Sequence, residues 1–196
     1  MLYAFAKALF KIILIVLGRY KITGQENIPD KGPVIVVCNH VSYWDPIVLG
    51  CALNRQVYFM AKAELFSIPI FGNILKRLGA FPIKRGHSDH KALRTAIRLL
   101  KEGKVLGVFP EGTRSKKGSL LPFRTGITMI AYKAGCPIVP VGLINSKKVL
   151  IGWWKPVEVK IGKPMLFPQV IKRPSSEELE EWTEQSRQAV AFLLGA

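Results

Sequence analysis

Acidic side chains are scarce in this 196-residue sequence: 13 Asp and Glu accompany 29 Lys and Arg, giving a formal net charge of +16 at pH 7. Five of the acids fall within residues 177–184, so residues 1–174 hold 28 basic and only 8 acidic side chains. Such an imbalance calls for an anionic partner. Nucleic acid, an anionic bilayer surface and phosphorylated small substrates would each suit this charge.

The sequence also lacks the usual motifs of nucleic-acid, nucleotide and metal binding. Its bases are dispersed, and zinc-finger spacing, an RNP-like aromatic motif and a basic-region heptad are all missing. GxGxxG, the P-loop GK[ST] and HExxH are missing too, and His87 and His90 have no evident third metal ligand. We therefore predict no nucleic-acid partner, no metal and no other cofactor.

Cysteines are few and form no recognisable pattern. Cys38, Cys51 and Cys136 are odd in number, lie in apolar surroundings and form no CxxC. They are predicted to be reduced core residues of a cytoplasmic protein rather than disulfide partners or metal ligands.

The N-terminal segment MLYAFAKALFKIILIVLGRYK is apolar but has no long uninterrupted run. Lys7 and Lys11 leave only Ile12–Leu17 unbroken, whereas a crossing helix needs about 20 apolar residues. No small-residue cleavage site follows. We expect residues 1–20 to form an amphipathic helix lying in the lipid headgroup region; an amphipathic helix packed on the protein's own core is the alternative. The bases expected to meet lipid phosphates are Lys7, Lys11, Arg19 and Lys21, and the side chains expected to face acyl chains are Phe5, Leu9, Ile12, Ile13 and Val16.

After residue 20, β-branched runs of strand length alternate with segments of helical spacing. This pattern predicts an α/β fold in which residues 21–196 form one domain, with a central, mostly parallel or mixed sheet flanked by helices. The predicted strands are Val34–Cys38, Val57–Ala61, Ala80–Lys84, Val105–Phe109, Ile138–Gly142 and Val157–Ile161. The predicted helices are Trp44–Leu53, Ile68–Leu78, Ser88–Lys101, Gly126–Ala134 and a C-terminal helix that starts after the capping box of Ser175 with Glu178 and runs to about Leu194. Pro140 inside a strand predicts an edge or a bulge.

The stretch CNHVSYWDP places His40 and Asp45 five positions apart, where a strand gives way to a helix. A carboxylate at this spacing can fold back on the imidazole Nδ1–H and leave Nε2 free to accept a proton. The pair would then act as a general base, and no protein nucleophile is needed if the attacking hydroxyl belongs to the substrate. The alternative is structural: the histidine bonds a turn and Asp45 caps the next helix.

Two further segments place cations where strands end. In VFPEGTRSKKG, Gly112 permits close backbone approach, Thr113 offers a hydroxyl and Arg114 supplies charge, while Glu111 can orient Arg114 or bind a substrate hydroxyl. In GAFPIKRG, the strand ends in Lys84 and Arg85, a position suited to phosphate binding. A polar turn and a solvated strand end are the respective alternatives.

Together these segments resemble the PlsC-type glycerolipid acyltransferase superfamily, and specifically its bacterial 1-acylglycerol-3-phosphate acyltransferases. Four blocks carry the resemblance in order along residues 39–141: Asn39 to Asp45 (Asn-His-x4-Asp), Phe81 to Arg85, Phe109 to Ser115 (Phe-Pro-Glu-Gly-Thr-Arg-Ser) and Val139 to Val141 (Val-Pro-Val). The resemblance implies that His40 is the general base and Asp45 its orienting partner. It also implies that Arg85 and the block from Glu111 to Arg114 hold the phosphate and glycerol of lysophosphatidic acid.

The implied reaction moves an acyl group from a thioester of coenzyme A or acyl carrier protein, as co-substrate, to the sn-2 hydroxyl of 1-acylglycerol 3-phosphate, giving phosphatidic acid. The implied location is the cytoplasmic side of the cell membrane, as a peripheral or monotopic protein on an anionic surface. Two alternatives stay open. The same chemistry could act on glycerol 3-phosphate, another lysophospholipid or a lyso-aminolipid, or the chain could be a non-catalytic basic membrane-binding module.

Overall fold

Strands and helices alternate along the chain in the computed structural model, which describes residues 1–84, 89–150, 155–168 and 174–195. Within these residues the α-helices are α1 (Leu2–Gly18), α2 (Asp45–Ala52), α3 (Phe71–Arg77), α4 (His90–Lys101), α5 (Gly126–Ala134) and α6 (Ser176–Leu194). The strands are β1 (Lys21–Thr23), β2 (Val34–Cys38), β3 (Val57–Lys62), β4 (Ala80–Ile83), β5 (Val105–Val108), β6 (Ile138–Ile144) and β7 (Glu158–Ile161). All of these strands join one sheet, which confirms the predicted single α/β domain.

Strand β2 lies in the middle of the sheet, and this position explains its uninterrupted apolar sequence, VIVVC. The strand order is β1-β7-β6-β2-β5-β3-β4. β2 pairs in parallel with β5 on one side and with β6 on the other, whereas β6 and β7 are antiparallel. A strand covered on both faces of a parallel sheet carries apolar residues at every position rather than at alternate ones. The predicted mixed, mostly parallel sheet is confirmed.

Each face of the sheet has its own core. Val34, Val36 and Cys38 of β2 point to the face covered by α1 and α2. Ile35 and Val37 point to the opposite face, which α4, α5 and α6 cover. This alternation follows from the two-residue period of a strand. It yields three layers, with the helices fixing the sheet from both sides.

Two helices begin as their capping residues predict. Asp89 caps α4, because its carboxylate accepts hydrogen bonds from two backbone N–H groups of the first turn, at 3.1 and 3.0 Å; the other candidate, Ser88, lies outside the described residues. At α6, Glu178 N donates to Ser175 Oγ at 3.1 Å and Ser175 N donates to Glu178 Oε2 at 2.7 Å. The predicted capping box is therefore confirmed.

Pro140 does not lie on an edge strand, so that prediction was wrong. β6 pairs with β2 on one side and β7 on the other, with unbroken register on both sides. The Pro140 carbonyl accepts a hydrogen bond from Gly162 N at 2.9 Å. A backbone N–H at position 140, which proline lacks, would also face Gly162. Because β7 ends at Ile161, the missing hydrogen bond falls just past the last paired residue of that strand.

Two other elements differ from the sequence prediction. Strand β1, which was not predicted, spans only three residues and pairs with β7 from the other end of the chain. Helix α3 begins three residues later than predicted, because a 3₁₀ turn at Ala63–Ser67 and a tight turn at Ile70 precede it.

Helix α1 packs against α2 and buries Leu14 and Gly18. Lys7, expected to reach lipid phosphates, turns inward instead and donates a hydrogen bond to the Leu53 carbonyl. Within the described residues, no helix combines the length and apolar character needed to cross a bilayer. The outward side of α1 exposes apolar residues at helical spacing, which we call the α1 stripe: Leu2, Phe5, Leu9, Ile12 and Val16.

Candidate active site

The carboxyl edge of the parallel strands gathers the predicted chemical residues. His40 lies two residues beyond the end of β2, and Glu111 lies three residues beyond the end of β5. Because β2 and β5 are parallel neighbours, their carboxyl ends meet at one edge of the sheet. Crevices at this edge are where open α/β sheets bind ligands.

His40 and Asp45 form the predicted pair. His40 Nδ1 and Asp45 Oδ2 are 2.7 Å apart, with the histidine 9% exposed and the aspartate fully buried. Asp45 is the first residue of α2, so the turn between β2 and α2 brings the carboxylate back beneath the ring. With the carboxylate accepting from Nδ1–H, the lone pair of the neutral ring is on Nε2.

The Asp45 carboxylate is held by the turn itself as well as by His40. Its Oδ2 accepts hydrogen bonds from the backbone N–H groups of Val41 and Ser42, each at 2.7 Å. Three donors on one oxygen fix the side chain against rotation, and therefore fix the imidazole that it holds. Asp45 thus holds the turn and orients His40 with the same oxygen, so the structural and the catalytic interpretations are compatible.

The His40 ring also has an aromatic support that sequence reasoning did not identify. It stacks on Phe109 with ring centroids 4.1 Å apart and an interplanar angle of 25°. Phe59 stacks behind Phe109 at 6.1 Å. Phe109 opens the Phe-Pro-Glu-Gly-Thr-Arg-Ser block, and its position directly after β5 was the available signal.

Glu111 braces the backbone that carries the histidine. Its Oε1 accepts a hydrogen bond from His40 N at 2.6 Å, and its Oε2 accepts one from Leu121 N at 3.1 Å. Burial raises the pKa of Glu111, while these two backbone donors act in the opposite direction. Among the described residues, the carboxylate thus contacts backbone amides rather than Arg114, one of the partners that the sequence analysis considered.

A second contact ties His40 to the same block, because the His40 carbonyl accepts a hydrogen bond from Ser115 N at 2.7 Å. Both backbone polar groups of the histidine are therefore held by residues 111–115. The first and third blocks of the sequence are thus joined directly in the structure.

Gly112 is required by its conformation and by its surroundings. Its φ of +69° lies in the left-handed region. A Cβ at this position would come within 2.8 Å of Arg124 Nε. The residue lets the chain turn tightly between Glu111 and the cationic segment that follows.

The cations of the third block lie beside the dyad. The Arg114 guanidinium lies over the Tyr43 ring, 3.5 Å from its centroid, and Tyr43 belongs to the loop between His40 and Asp45. Lys147, which sequence reasoning did not select, donates hydrogen bonds to the carbonyls of Ser115 and Lys116 at 3.5 and 3.2 Å. Thr113 is exposed next to Arg114.

The structure describes the second block, Phe81 to Arg85, as far as Lys84. Lys84 is exposed just past the end of β4, the outermost strand, and its backbone N donates to Asp89 Oδ2 at 2.8 Å. β4 runs parallel to β3, which pairs in parallel with β5, so Lys84 lies at the same carboxyl edge as His40. Arg85, the other predicted residue, lies outside the described residues.

Asn39 is a further residue of this edge that sequence reasoning left without a role. Its Nδ2 donates to the Leu143 carbonyl at 2.9 Å, and its Oδ1 accepts from Leu143 N at 2.8 Å. The side chain thus replaces a backbone pairing between the end of β2 and β6. It holds the residue before His40 at a fixed distance from its neighbour strand.

The cysteines do not offer an alternative nucleophile. Burial raises the pKa of Cys51 to about 11 and that of Cys136 to about 12. Burial, followed by the charges of Asp45 and Glu111, raises the pKa of Cys38 as well. Because the thiolate is the nucleophilic form, buried thiols with raised pKa values are inert near neutral pH.

A histidine oriented by a buried carboxylate, beside cations at the edge of an α/β sheet, is an arrangement suited to activating a substrate hydroxyl. The acyltransferase family model matches residues 19–144, and the chain belongs to this family. The predicted resemblance is thereby confirmed.

Named relatives and a solved structure are similar to this chain over most of its length. The 1-acyl-sn-glycerol-3-phosphate acyltransferase of Bacillus subtilis (strain 168) is 34% identical over 195 residues, covering 98% of this chain and 96% of that protein. The enzyme of the same name from Borreliella burgdorferi is 34% identical over 148 residues, covering 74% and 59% of the two chains. The crystal structure of the 1-acyl-sn-glycerophosphate (LPA) acyltransferase PlsC from Thermotoga maritima superposes with a TM-score of 0.74 at 33% identity, covering 100% of this chain and 79% of that one.

Proposed function

We propose that this protein is a 1-acyl-sn-glycerol-3-phosphate acyltransferase that converts lysophosphatidic acid to phosphatidic acid for phospholipid synthesis. The observation that carries the proposal is the 2.7 Å contact between His40 Nδ1 and Asp45 Oδ2 at the carboxyl edge of the sheet. The names of the similar proteins support the choice of acceptor.

His40 acts as a general base on the acceptor. As the sn-2 hydroxyl oxygen attacks the thioester carbonyl carbon, its proton passes to His40 Nε2, and Asp45 stabilises the resulting imidazolium. The carbon–sulfur bond then breaks, and the imidazolium returns the proton to the departing thiolate. A positioned base of this kind contributes a factor of about 10²–10⁴ in rate.

The acceptor phosphate binds to cations beside the dyad. Arg114 is the principal contact, because a guanidinium binds two phosphate oxygens at once, and its stacking on Tyr43 orients it. Lys84, Arg85, Gly112 and Thr113 complete the proposed site, with the two basic residues supplying charge and the loop residues supplying backbone and hydroxyl donors. Glu111 serves this site by holding His40 and the loop in place.

The donor is an acyl thioester of coenzyme A or of acyl carrier protein. Both donors are anionic, as are the acceptor and the bilayer, and the net charge of +16 complements all of them. The reaction needs no resident cofactor, since the substrates themselves supply the nucleophile and the leaving group.

Residues 1–20 attach the enzyme to the cytoplasmic face of the cell membrane, and residues 21–196 form the acyltransferase domain. The α1 stripe exposes large apolar side chains that water solvates poorly, with Phe5 67% and Ile12 60% exposed. A helix lying in the plane of the interface would bury this stripe among acyl chains. The lipid acceptor and product would then remain in the bilayer throughout the reaction.

Product analysis with the purified protein tests the proposal. Labelled acyl-CoA and acyl–acyl carrier protein are each supplied with an equimolar mixture of lysophosphatidic acid, glycerol 3-phosphate and a zwitterionic lysophospholipid. The expected product is phosphatidic acid, formed at the highest rate from at least one donor. Preferential labelling of another acceptor would show that lysophosphatidic acid is not the preferred substrate. Vesicle binding without transfer from either thioester would favour the alternative of a non-catalytic membrane-binding module.

A further inference from the structure

A second group of exposed apolar side chains lies far along the chain from α1. Between β3 and the end of α3, four large residues within seven positions face solvent, and we call them the Ile70 patch: Ile68 (47% exposed), Ile70 (76%), Phe71 (43%) and Ile74 (40%). Single exposed apolar residues are normal on a protein surface, but such a cluster marks an interaction site.

The backbone at the centre of this patch is strained. Ile70 has φ +64° and ψ −54°, and Phe71 N donates a hydrogen bond to the Pro69 carbonyl at 2.6 Å. These values define a γ-turn with positive φ, which is rare and strained, above all for a β-branched residue. Strained backbone of this kind clusters at functional sites. Packing of the Ile70 side chain does not explain the strain, because this side chain is 76% exposed.

The turn is nevertheless held firmly. Gly72 N donates to the Ile68 carbonyl and Ile74 N to the Ile70 carbonyl, both at 3.0 Å. Gly72 is buried, and a Cβ on it would come within 2.4 Å of the Phe66 carbonyl oxygen, so the segment packs closely on the preceding 3₁₀ turn. The patch is therefore presented by a fixed scaffold.

The topology of the sheet places the patch on the face that carries α1 and at the edge that carries the candidate active site. The segment leaves the carboxyl end of β3, the same sheet edge that carries His40. The connections from β2 to β3 and from β3 to β4 step in the same direction along the sheet. Because crossovers between parallel strands are right-handed, α3 lies on the same face as α2, and that face also carries α1.

The charges around the patch are complementary to anionic lipid. Residues 62–84 contain four basic side chains and a single acid, Glu64, which pairs with Lys62 at 3.1 Å. Lys76 and Arg77 are exposed at the end of α3, and Lys84 is exposed at the end of β4. Bases close to an anionic bilayer are attracted by its surface charge.

We propose that the Ile70 patch is a second lipid-contact surface, which inserts its four apolar side chains into an anionic bilayer while Lys76 and Arg77 bind headgroup phosphates. Two contacts on one face, the α1 stripe and the Ile70 patch, then set the orientation of the domain. They hold the carboxyl edge against the membrane, so that the acceptor reaches His40 directly from the lipid. The consequence for substrate access rests on the proposed function; the lipid contact itself does not.

A glycine substitution separates the proposed contact from folding. Ile70→Gly removes the exposed side chain and also relieves the positive φ, so the melting temperature should not fall. Combined with Ile74→Gln, it should lower partitioning onto vesicles of phosphatidylglycerol and phosphatidylcholine about 10-fold, since two partly inserted side chains are lost. Phe192→Gln is the matched control, because Phe192 is 82% exposed on α6, across the sheet.

Two readouts make the outcome decisive. Vesicle co-sedimentation reports binding whether or not the protein acylates lysophosphatidic acid, so failure of the proposed function leaves this test valid. Turnover of a short-chain lysophosphatidic acid below its critical micelle concentration, with short-chain acyl-CoA as donor, should be unchanged in Ile70→Gly/Ile74→Gln. Vesicle binding equal to that of the wild type would overturn the proposal. So would a defect confined to acyl–acyl carrier protein as donor, which would make the patch a protein-docking surface.

Discussion

The carboxyl edge of the sheet buries polar side chains, whereas the face that carries α1 exposes apolar ones. At the edge, polar groups are buried and held by hydrogen bonds: Asp45 is fully covered and its Oδ2 accepts three of them, and both backbone polar groups of His40 are engaged by residues 111–115. On the α1 face, large apolar groups are exposed, with Phe5 and Ile70 more than half accessible to solvent. Each region reverses the ordinary rule that apolar groups are buried and polar groups exposed.

We propose that the two reversals correspond to two separable tasks. Buried, fixed polar groups provide chemistry, because a base must be oriented before the substrate arrives. Exposed apolar groups attach the protein to a partner surface, because they lose their contact with water only when that surface covers them. Substitutions at the edge should therefore impair turnover wherever the substrate is presented, whereas substitutions on the α1 face should impair it only on vesicles.

The largest effect is expected from Asp45→Asn. The substitution removes the negative charge that stabilises the imidazolium, and we expect kcat to fall by about 10²–10⁴-fold with little change in KM. The loss should be equal in detergent and on vesicles, as steady-state kinetics in both media would show. A loss of activity seen only on vesicles would contradict the proposal that the edge and the α1 face have separate tasks.

Glu111→Gln should destabilise the edge. An amide nitrogen in place of one carboxylate oxygen cannot accept the hydrogen bond from His40 N or Leu121 N, so one buried donor loses its partner. The free energy of unfolding should fall by about 1–3 kcal/mol, measured by urea denaturation. Glu180→Gln, on the exposed side of α6, is the control; an equal effect there would contradict the bracing role.

Arg114→Ala should weaken binding of the acceptor more than it slows the chemical step. Loss of a charge-assisted contact predicts a KM for lysophosphatidic acid raised about 10–100-fold, and Tyr43→Ala, which removes only the stacking surface, should raise it about 2–5-fold. Tyr43→Phe keeps the aromatic face and should restore the wild-type KM. An unchanged KM in Arg114→Ala would show that the arginine does not bind the acceptor phosphate.

Leu9→Gln on the α1 stripe should have a smaller effect than Asp45→Asn or Arg114→Ala. Vesicle partitioning should fall about 10-fold, because one inserted side chain contributes roughly 1.5 kcal/mol or more. Activity in detergent should match that of the wild type. Reduced activity in both media would show instead that the stripe packs on the protein and supports the fold.

Local features of the fold were predictable from the sequence because their causes are local. Strand β2 was predicted with its observed ends, since a fully apolar run of five residues bounded by turn residues has few other uses. The contact between His40 and Asp45 followed from a strand, a turn and a helix that are contiguous in the chain. The capping box at Ser175 is likewise contained within four residues.

Features that depend on distant partners were not predictable. β1 is three residues long and exists because β7 pairs with it from the far end of the chain. The position of Pro140 inside the sheet depends on where β7 ends, and the role of Glu111 depends on the neighbouring loop at His40. The γ-turn at Ile70 opposes local propensity, and rule-breaking positions of this kind tend to be functional.

The most direct test of the central claim compares acyl transfer by the wild type and His40→Ala at saturating lysophosphatidic acid and acyl thioester. His90→Ala is the matched control, because His90 is exposed at the start of α4. The proposed mechanism predicts that kcat falls by about 10²–10⁴-fold in His40→Ala and is unchanged in His90→Ala, while both variants bind vesicles as the wild type does. Turnover by His40→Ala at the wild-type rate would contradict it, since the imidazole would then take no part in the reaction.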